Sequence, residues 1–258
     1  MSVCLLLSPA KKLSEVSDVV SGEKSQVAFK AKTQSLVAYL QTLSVETLAE
    51  VFGVSERLAQ LNFDRYQNFK STYNQANAKQ AVHLFEGDVY RALDASSLSE
   101  ESLSFAQAHC RILSGLYGMI RPLDMIQPYR LEMGTTLPSE AFKSLYGFWK
   151  KPVTDALNKT FAADGSTMIN LASKEYAQVV DQAELRMPWV DIVFKQTRKG
   201  VTKTIALLAK RARGQMARFI IEQQIKNPET IQHFSSDGYH FMPKDSTDHQ
   251  WVFVTKEL

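Results

Sequence analysis

Five consecutive apolar residues near the start of the chain, Val3-Cys4-Leu5-Leu6-Leu7, end abruptly at Ser8-Pro9. So short an unbroken run reads as a buried strand, closed by a turn because Pro9 has no amide to give to a ladder. Thr167 to Leu171 reads as a second buried strand. Strands of this kind need helices packed on them, and helical periodicity is present. From Gln34 to Asn62, Leu36, Val37 and Leu40 form one stripe and Leu48 and Val51 another, with a break at Phe52-Gly53-Val54. A helix is predicted from about Glu100 to Leu113, with Leu103, Ala106, Cys110 and Leu113 on one face and capping-box spacing at Ser97 and Glu100. Another is predicted over Lys143 to Phe161, interrupted near Pro152. Pro188 to Thr197 alternates as a strand. A hairpin turn at Arg198-Lys199-Gly200 then leads into a partner strand over Thr202 to Ala209. Helical pattern resumes after Arg213-Gly214 and runs through Ile225. The tail offers one or two edge strands, around Gly238 to Phe241 and Trp251 to Thr255. Lys11 to Lys32 is polar and weakly patterned, and is predicted to be a loop with short helical turns. The expectation is a mixed α/β (α+β) fold in which helices flank a mixed sheet, built as one compact domain over residues 1–258.

The net charge is only +3 on 258 residues, so attraction to a polyanion has to come from where the cations sit. The two cysteines, Cys4 and Cys110, are too few for a secreted disulfide framework and fit a reducing cytoplasm. The apolar start is too short and lacks the basic leader of a signal peptide, and no stretch is long enough to span a bilayer. The chain is therefore expected to be cytoplasmic, without a membrane partner, and a monomer.

Three features concentrate cations. Lys210-Arg211-Ala212-Arg213-Gly214 falls where a strand is predicted to hand over to a helix, whose first amides would add to an anion site; Arg218 follows on the same polar face. The alternative is an ordinary amphipathic helix with a solvated basic edge. Residues 44–62 form two short helices around Gly53, similar to the helix-hairpin-helix motif, in which hairpin amides meet a backbone phosphate. Ser55 replaces the usual second glycine and is placed to cap the second helix, while Glu46, Glu50 and Glu56 oppose DNA; a plain packing unit is the alternative. The third is the Pro- and Gly-rich segment from Leu113 to Gly134, where Arg121 and Arg130 can clamp phosphate or pair with Asp124 and Glu132 and merely hold the loop shut.

Taken in order, Ser8-Pro9-Ala10-Lys11, Gly87-Asp88-Val89-Tyr90, Leu113-Ser114-Gly115-Leu116-Tyr117-Gly118, Arg121-Pro122-Leu123-Asp124, Pro128 to Gly134, Ile169 to Ser173 with Glu175-Tyr176, and Lys210 to Arg218 resemble the bacterial YaaA family of peroxide-stress resistance proteins over nearly the whole chain. The resemblance implies a family-specific mixed α/β fold with a basic cleft. It also implies binding of double-stranded or distorted DNA through a helix-hairpin-helix element, and a role in surviving hydrogen peroxide linked to low intracellular free iron.

A catalytic reading competes. Ser8, Lys11, Asp88, Tyr90, Arg121, Arg130, Lys174 and Arg213 all lie in or beside turns marked by glycine or proline, where functional side chains concentrate. A lysine near a carboxylate and several arginines suit a nucleotide or another phosphorylated small molecule. There is no phosphate-binding glycine loop, no dinucleotide fingerprint and no serine triad. The five histidines lack metal-ligand spacing, so neither a metal nor a cofactor is expected. The DNA or phosphate contacts are expected at Lys11, Gly53, Ser55, Arg121, Arg130, Lys174, Lys210, Arg211, Arg213 and Arg218, with Lys11, Asp88 and Tyr90 as catalytic candidates. Both cysteines are expected to pack rather than to sense peroxide.

Overall fold

The structure, a computed structural model, describes residues 2–14 and 23–256; part of the loop expected over Lys11 to Lys32 lies outside them. In chain order the elements are β1 (Val3–Leu7), α1 (Lys30–Leu40), α2 (Val45–Phe52), α3 (Glu56–Gln67), β2 (Lys79–Gln80), α4 (Ala81–Leu84), α5 (Asp88–Leu93), α6 (Glu100–His109), β3 (Cys110–Ser114), β4 (Gly118–Ile120) and β5 (Met125–Ile126). They continue as α7 (Leu145–Phe161), β6 (Thr167–Asn170), α8 (Lys174–Ala177), β7 (Trp189–Arg198), β8 (Val201–Lys203), α9 (Ala206–Glu222), β9 (His240–Phe241) and β10 (Gln250–Lys256).

Eight strands form one mixed sheet in the order β4-β3-β1-β6-β7-β10-β9, with β8 hairpinned onto β7. The five central strands β3, β1, β6, β7 and β10 are parallel to their neighbours, while β4, β8 and β9 add antiparallel edges. The expectation of a mixed α/β fold therefore holds. All five residues of β1 are buried, as a central parallel strand covered on both faces requires. On one side α6 packs on β1 and β3, α9 packs on β7, and α5 and α6 both pack on α9. The buried side chains of all these layers form a single cluster.

Adjacent strands β1 and β6 send their chains in opposite directions: β1 returns as β3 on one side, and β6 returns as β7 on the other. The loops leaving their carboxyl ends therefore part, and open a crevice. That is where open α/β sheets place ligands.

Several boundaries differ from the sequence expectation. The helix after Ser97 is capped by Ser99, whose hydroxyl accepts from the Ser102 amide, and it stops at His109. Cys110 to Leu113 are in β3, so the stripe ending in Cys110 and Leu113 is not one helical face; short apolar runs fit either period. The same ambiguity affects 202–209. Only Val201–Lys203 is strand, and α9 begins at Ala206 because Ala206-Leu207-Leu208-Ala209 are strong helix formers. Pro152 lies inside α7 without ending it. β10 is not an edge strand: it sits between β7 and β9. Among the described residues no helix is long and apolar enough to cross a membrane.

Candidate functional site

A cavity of about 540 Å3 opens in that crevice. Its floor is the loop leaving β1, from Ser8 to Lys12, together with Leu171 and Ser173 after β6. Its sides are the segment from Glu86 into α5, Lys210 and Arg213 of α9, which packs on α5, and the segment from Tyr129 to Glu132. Two glycines hold these walls in place. Gly214 sits against α5 so closely that an added Cβ would lie 2.1 Å from the Val89 carbonyl oxygen, and α9, which carries Lys210 and Arg213 into the cavity lining, packs on α5 there. Gly115 packs on the backbone of Leu131, where an added Cβ would lie 2.3 Å from the carbonyl oxygen. Across the floor, the Ser173 amide donates to Ser8 Oγ at 2.8 Å.

Lys11, Lys12, Arg91, Arg130, Lys210 and Arg213 face this space together with the carboxylates of Glu86, Asp88, Glu132 and Glu175. Lys12 pairs with Glu86 at 2.8 Å and Arg91 with Asp88. Glu132 takes two cations, Lys11 at 2.6 Å and Arg130 at 3.0 Å. Glu175 accepts from the Gly134 amide at 3.2 Å. Lys210 and Arg213 have no ion-pair or hydrogen-bond partner among the described residues. Burial pulls the Arg213 guanidinium below its ordinary value, and the charge of Asp191 works the other way; an arginine still keeps its charge at neutral pH. Asp191 itself is occupied by Asn170 Nδ2 at 2.7 Å and Trp189 Nε1 at 2.9 Å. The buried Nε atoms of Arg130 and Arg213 both lack a hydrogen-bond partner.

The aromatic lining presents rings rather than reactive hydroxyls. Tyr90 donates to the Ser8 carbonyl at 2.7 Å, and Tyr129 shares a 2.6 Å bond with Ser114 Oγ. Burial raises Tyr90, Tyr129 and Tyr176 far above the usual phenol range. Tyr90, a catalytic candidate from the sequence, is thus a strut between α5 and the loop after β1.

The structure brings Ser8, Lys11, Asp88, Tyr90, Arg130, Lys210 and Arg213 together and leaves the other candidates elsewhere. Arg121 is tied to the buried carboxylate of Asp124 at 3.0 Å, which holds its loop shut. Arg218 donates to the carbonyls of Leu93 and Asp94 and to Ser97 Oγ, and pairs with Glu222. Arg211 pairs with Asp237 at 3.0 Å. Lys174 begins α8 outside the cavity lining. The 210–214 segment is no helix start, because α9 begins at Ala206; its amides serve the helix, and only the side chains of Lys210 and Arg213 face the cavity. In the α2–α3 hairpin Gly53 is left-handed (φ 58°). Ser55 holds the N-cap position, but its side chain makes no capping bond, contrary to the expectation. The hairpin does not line the cavity, although α3 reaches it indirectly: Tyr66 donates to the Arg130 carbonyl at 2.5 Å. Lys12, Glu86 and Arg91 had no mark in the sequence; their only signal was adjacency to Lys11 and Asp88.

Among the described residues no group of three or more His, Cys, Asp or Glu could hold a metal ion. Both cysteines are buried. Burial pushes the Cys110 thiol up to about 12 and raises Cys4 further, with Arg111 partly opposing in both cases.

A family model described as peroxide stress protein YaaA matches residues 3–245. A UPF0246 protein of Acaryochloris marina is 46% identical over 223 residues, covering 86% of this chain and 88% of its own. UPF0246 proteins of Magnetococcus marinus and Legionella pneumophila are each 45% identical, over 250 and 251 residues, covering 96% of this chain and 97% and 98% of theirs.

Proposed function

The chain belongs to the peroxide stress protein YaaA family, and from that premise we propose that its crevice binds a nucleotide or another phosphorylated small molecule. One observation carries this reading: in a cavity where the other four cations are each matched by a carboxylate, Lys210 and Arg213 are not. A half-buried guanidinium with no ion pair or hydrogen bond of its own is costly, and a phosphate supplies both the charge and a bidentate acceptor. The rings of Tyr129 and Tyr176, with Leu131 and Leu171, give a flat apolar body something to lie against. Asp88 and Lys11 line the same cavity, each already in an ion pair, so recognition comes before any chemistry they perform. The test is calorimetric titration of the full chain with inorganic phosphate and adenosine nucleotides. Arg213→Ala should weaken binding at least tenfold; equal affinity in the variant and the wild type would remove the reading.

A second reading, binding of double-stranded or distorted DNA with the associated link to free iron, comes from the family resemblance. The feature that supports it is the exposed α2–α3 hairpin, with left-handed Gly53 and a second helix whose first turn has no side-chain cap. It expects binding to labelled duplex and bubble DNA that falls steeply with salt. Salt-independent binding, or binding unaffected by Gly53→Val, would count against it.

A further inference from the structure

Resting on the reading of the crevice as a phosphate site, we propose that it selects a phosphomonoester over a diphosphate or triphosphate, and that Glu132 is the residue that sets this limit. Six cations and four carboxylates line the cavity, so its fixed surplus is two positive charges. A phosphomonoester carries about −1.5 to −2 near neutral pH, which matches that surplus. A polyphosphate chain brings more negative charge than the surplus can neutralise. The excess then lies against carboxylates that cannot withdraw. Glu132 is held from two sides by Lys11 and Arg130 and is only 24% exposed; Glu175 is fixed by the Gly134 amide. Unfavourable like charge of this kind is how a site rejects a close relative of its ligand. The position of Glu132 strengthens the case. It pairs with both Lys11 and Arg130, so two cations that would otherwise serve a second phosphate are engaged. Lys210 and Arg213, which no carboxylate of the cavity engages, are left as the phosphate seat.

The experiment is calorimetric titration of the full chain, in EDTA so that no divalent cation neutralises the ligands, with two series: inorganic phosphate, pyrophosphate and tripolyphosphate, and the adenosine mono-, di- and triphosphates. In the wild type, affinity should fall at least tenfold from the monophosphate member to the triphosphate member of whichever series binds. Glu132→Gln should remove most of that preference while keeping monophosphate affinity within a few-fold, since the amide oxygen still accepts from Arg130. Glu175→Gln, which keeps its acceptor for Gly134, is the second variant should Glu132→Gln not fold, and should reduce the preference in the same direction. Arg213-dependent binding in which the triphosphate is as tight as the monophosphate overturns this inference and leaves the phosphate site standing. A monophosphate preference unchanged in both variants also overturns it. Failure of every compound to bind removes the phosphate site itself, and this inference with it.

Discussion

The Ser173 amide donates to Ser8 Oγ at 2.8 Å, and this bond ties the loop leaving β1 to the loop leaving β6 at the point where the two chains diverge. Ser8 Oγ also lies 3.3 Å from Ser173 Oγ. Neither loop has regular structure of its own there, so the bond fixes the floor of the crevice. Ser8→Ala should cost about 1 kcal/mol of stability, the usual value for a side chain that satisfies a terminal amide, and should weaken phosphate binding several-fold by loosening the floor. Urea unfolding and phosphate titration of the same variant check both; an unchanged affinity would mean that the floor is held by packing alone.

Gly214 is the second control point. Its contact with the Val89 carbonyl leaves no space for a side chain, because two helix backbones meet there. Gly214→Val should force α9 off α5 and cost about 3 kcal/mol. The clash moves the helix that carries Arg213, so phosphate affinity should fall together with the melting temperature. A variant of unchanged stability would show that the helices separate without cost.

The strands at the heart of the sheet were legible in the sequence because they are extreme: Val3 to Leu7 and Thr167 to Leu171 have no polar face to misread. Lys11, Asp88 and Arg130 were legible as candidates because proline or glycine marks their turns. Their convergence was not, since Lys11 meets Glu132 across more than a hundred residues. Arg121 and Arg130 looked equivalent, each with an acid close by. The difference is that Asp124 is buried and serves Arg121, whereas Glu132 faces a cavity and is shared. Arg213 was singled out for a helix start that does not exist there. It belongs to the site for another reason, the close helix crossing at Gly214. The 206–209 segment misled because so short an apolar run fits either period and its position after a hairpin turn suggested a strand, although alanine and leucine favour helix.

Two arginines five residues apart on α9 should therefore behave differently. Arg218 holds the end of α5 through the carbonyls of Leu93 and Asp94, so Arg218→Ala should lower stability by about 2 kcal/mol and leave phosphate affinity within a few-fold of wild type. Arg213→Ala removes a half-buried charge that has no ion pair or hydrogen bond of its own, and should leave stability unchanged or raised while binding is lost. Paired denaturation and titration experiments separate the two; the opposite assignment would place the phosphate seat on the other face of α9.

The buried thiols make a prediction about alkaline stability and about peroxide. Cys110 has its thiol pushed up to about 12 from 9.0, chiefly by burial. A group raised in the folded state favours folding fully below its unfolded value and loses that contribution as pH rises through the folded value. Stability should therefore be flat with respect to this group below about pH 9 and fall between about 9 and 12, by roughly 1.4 kcal/mol per pH unit for each such thiol. Cys110→Ala should make the fall shallower. At neutral pH almost none of either thiol is thiolate, the form that attacks peroxide. Thiol-reactive dye and hydrogen peroxide should accordingly modify Cys4 and Cys110 only at the rate at which the chain unfolds. Rapid labelling of the native protein at pH 7 would contradict the buried placement of both residues, and would reopen a direct redox role for the β1–β3 pair.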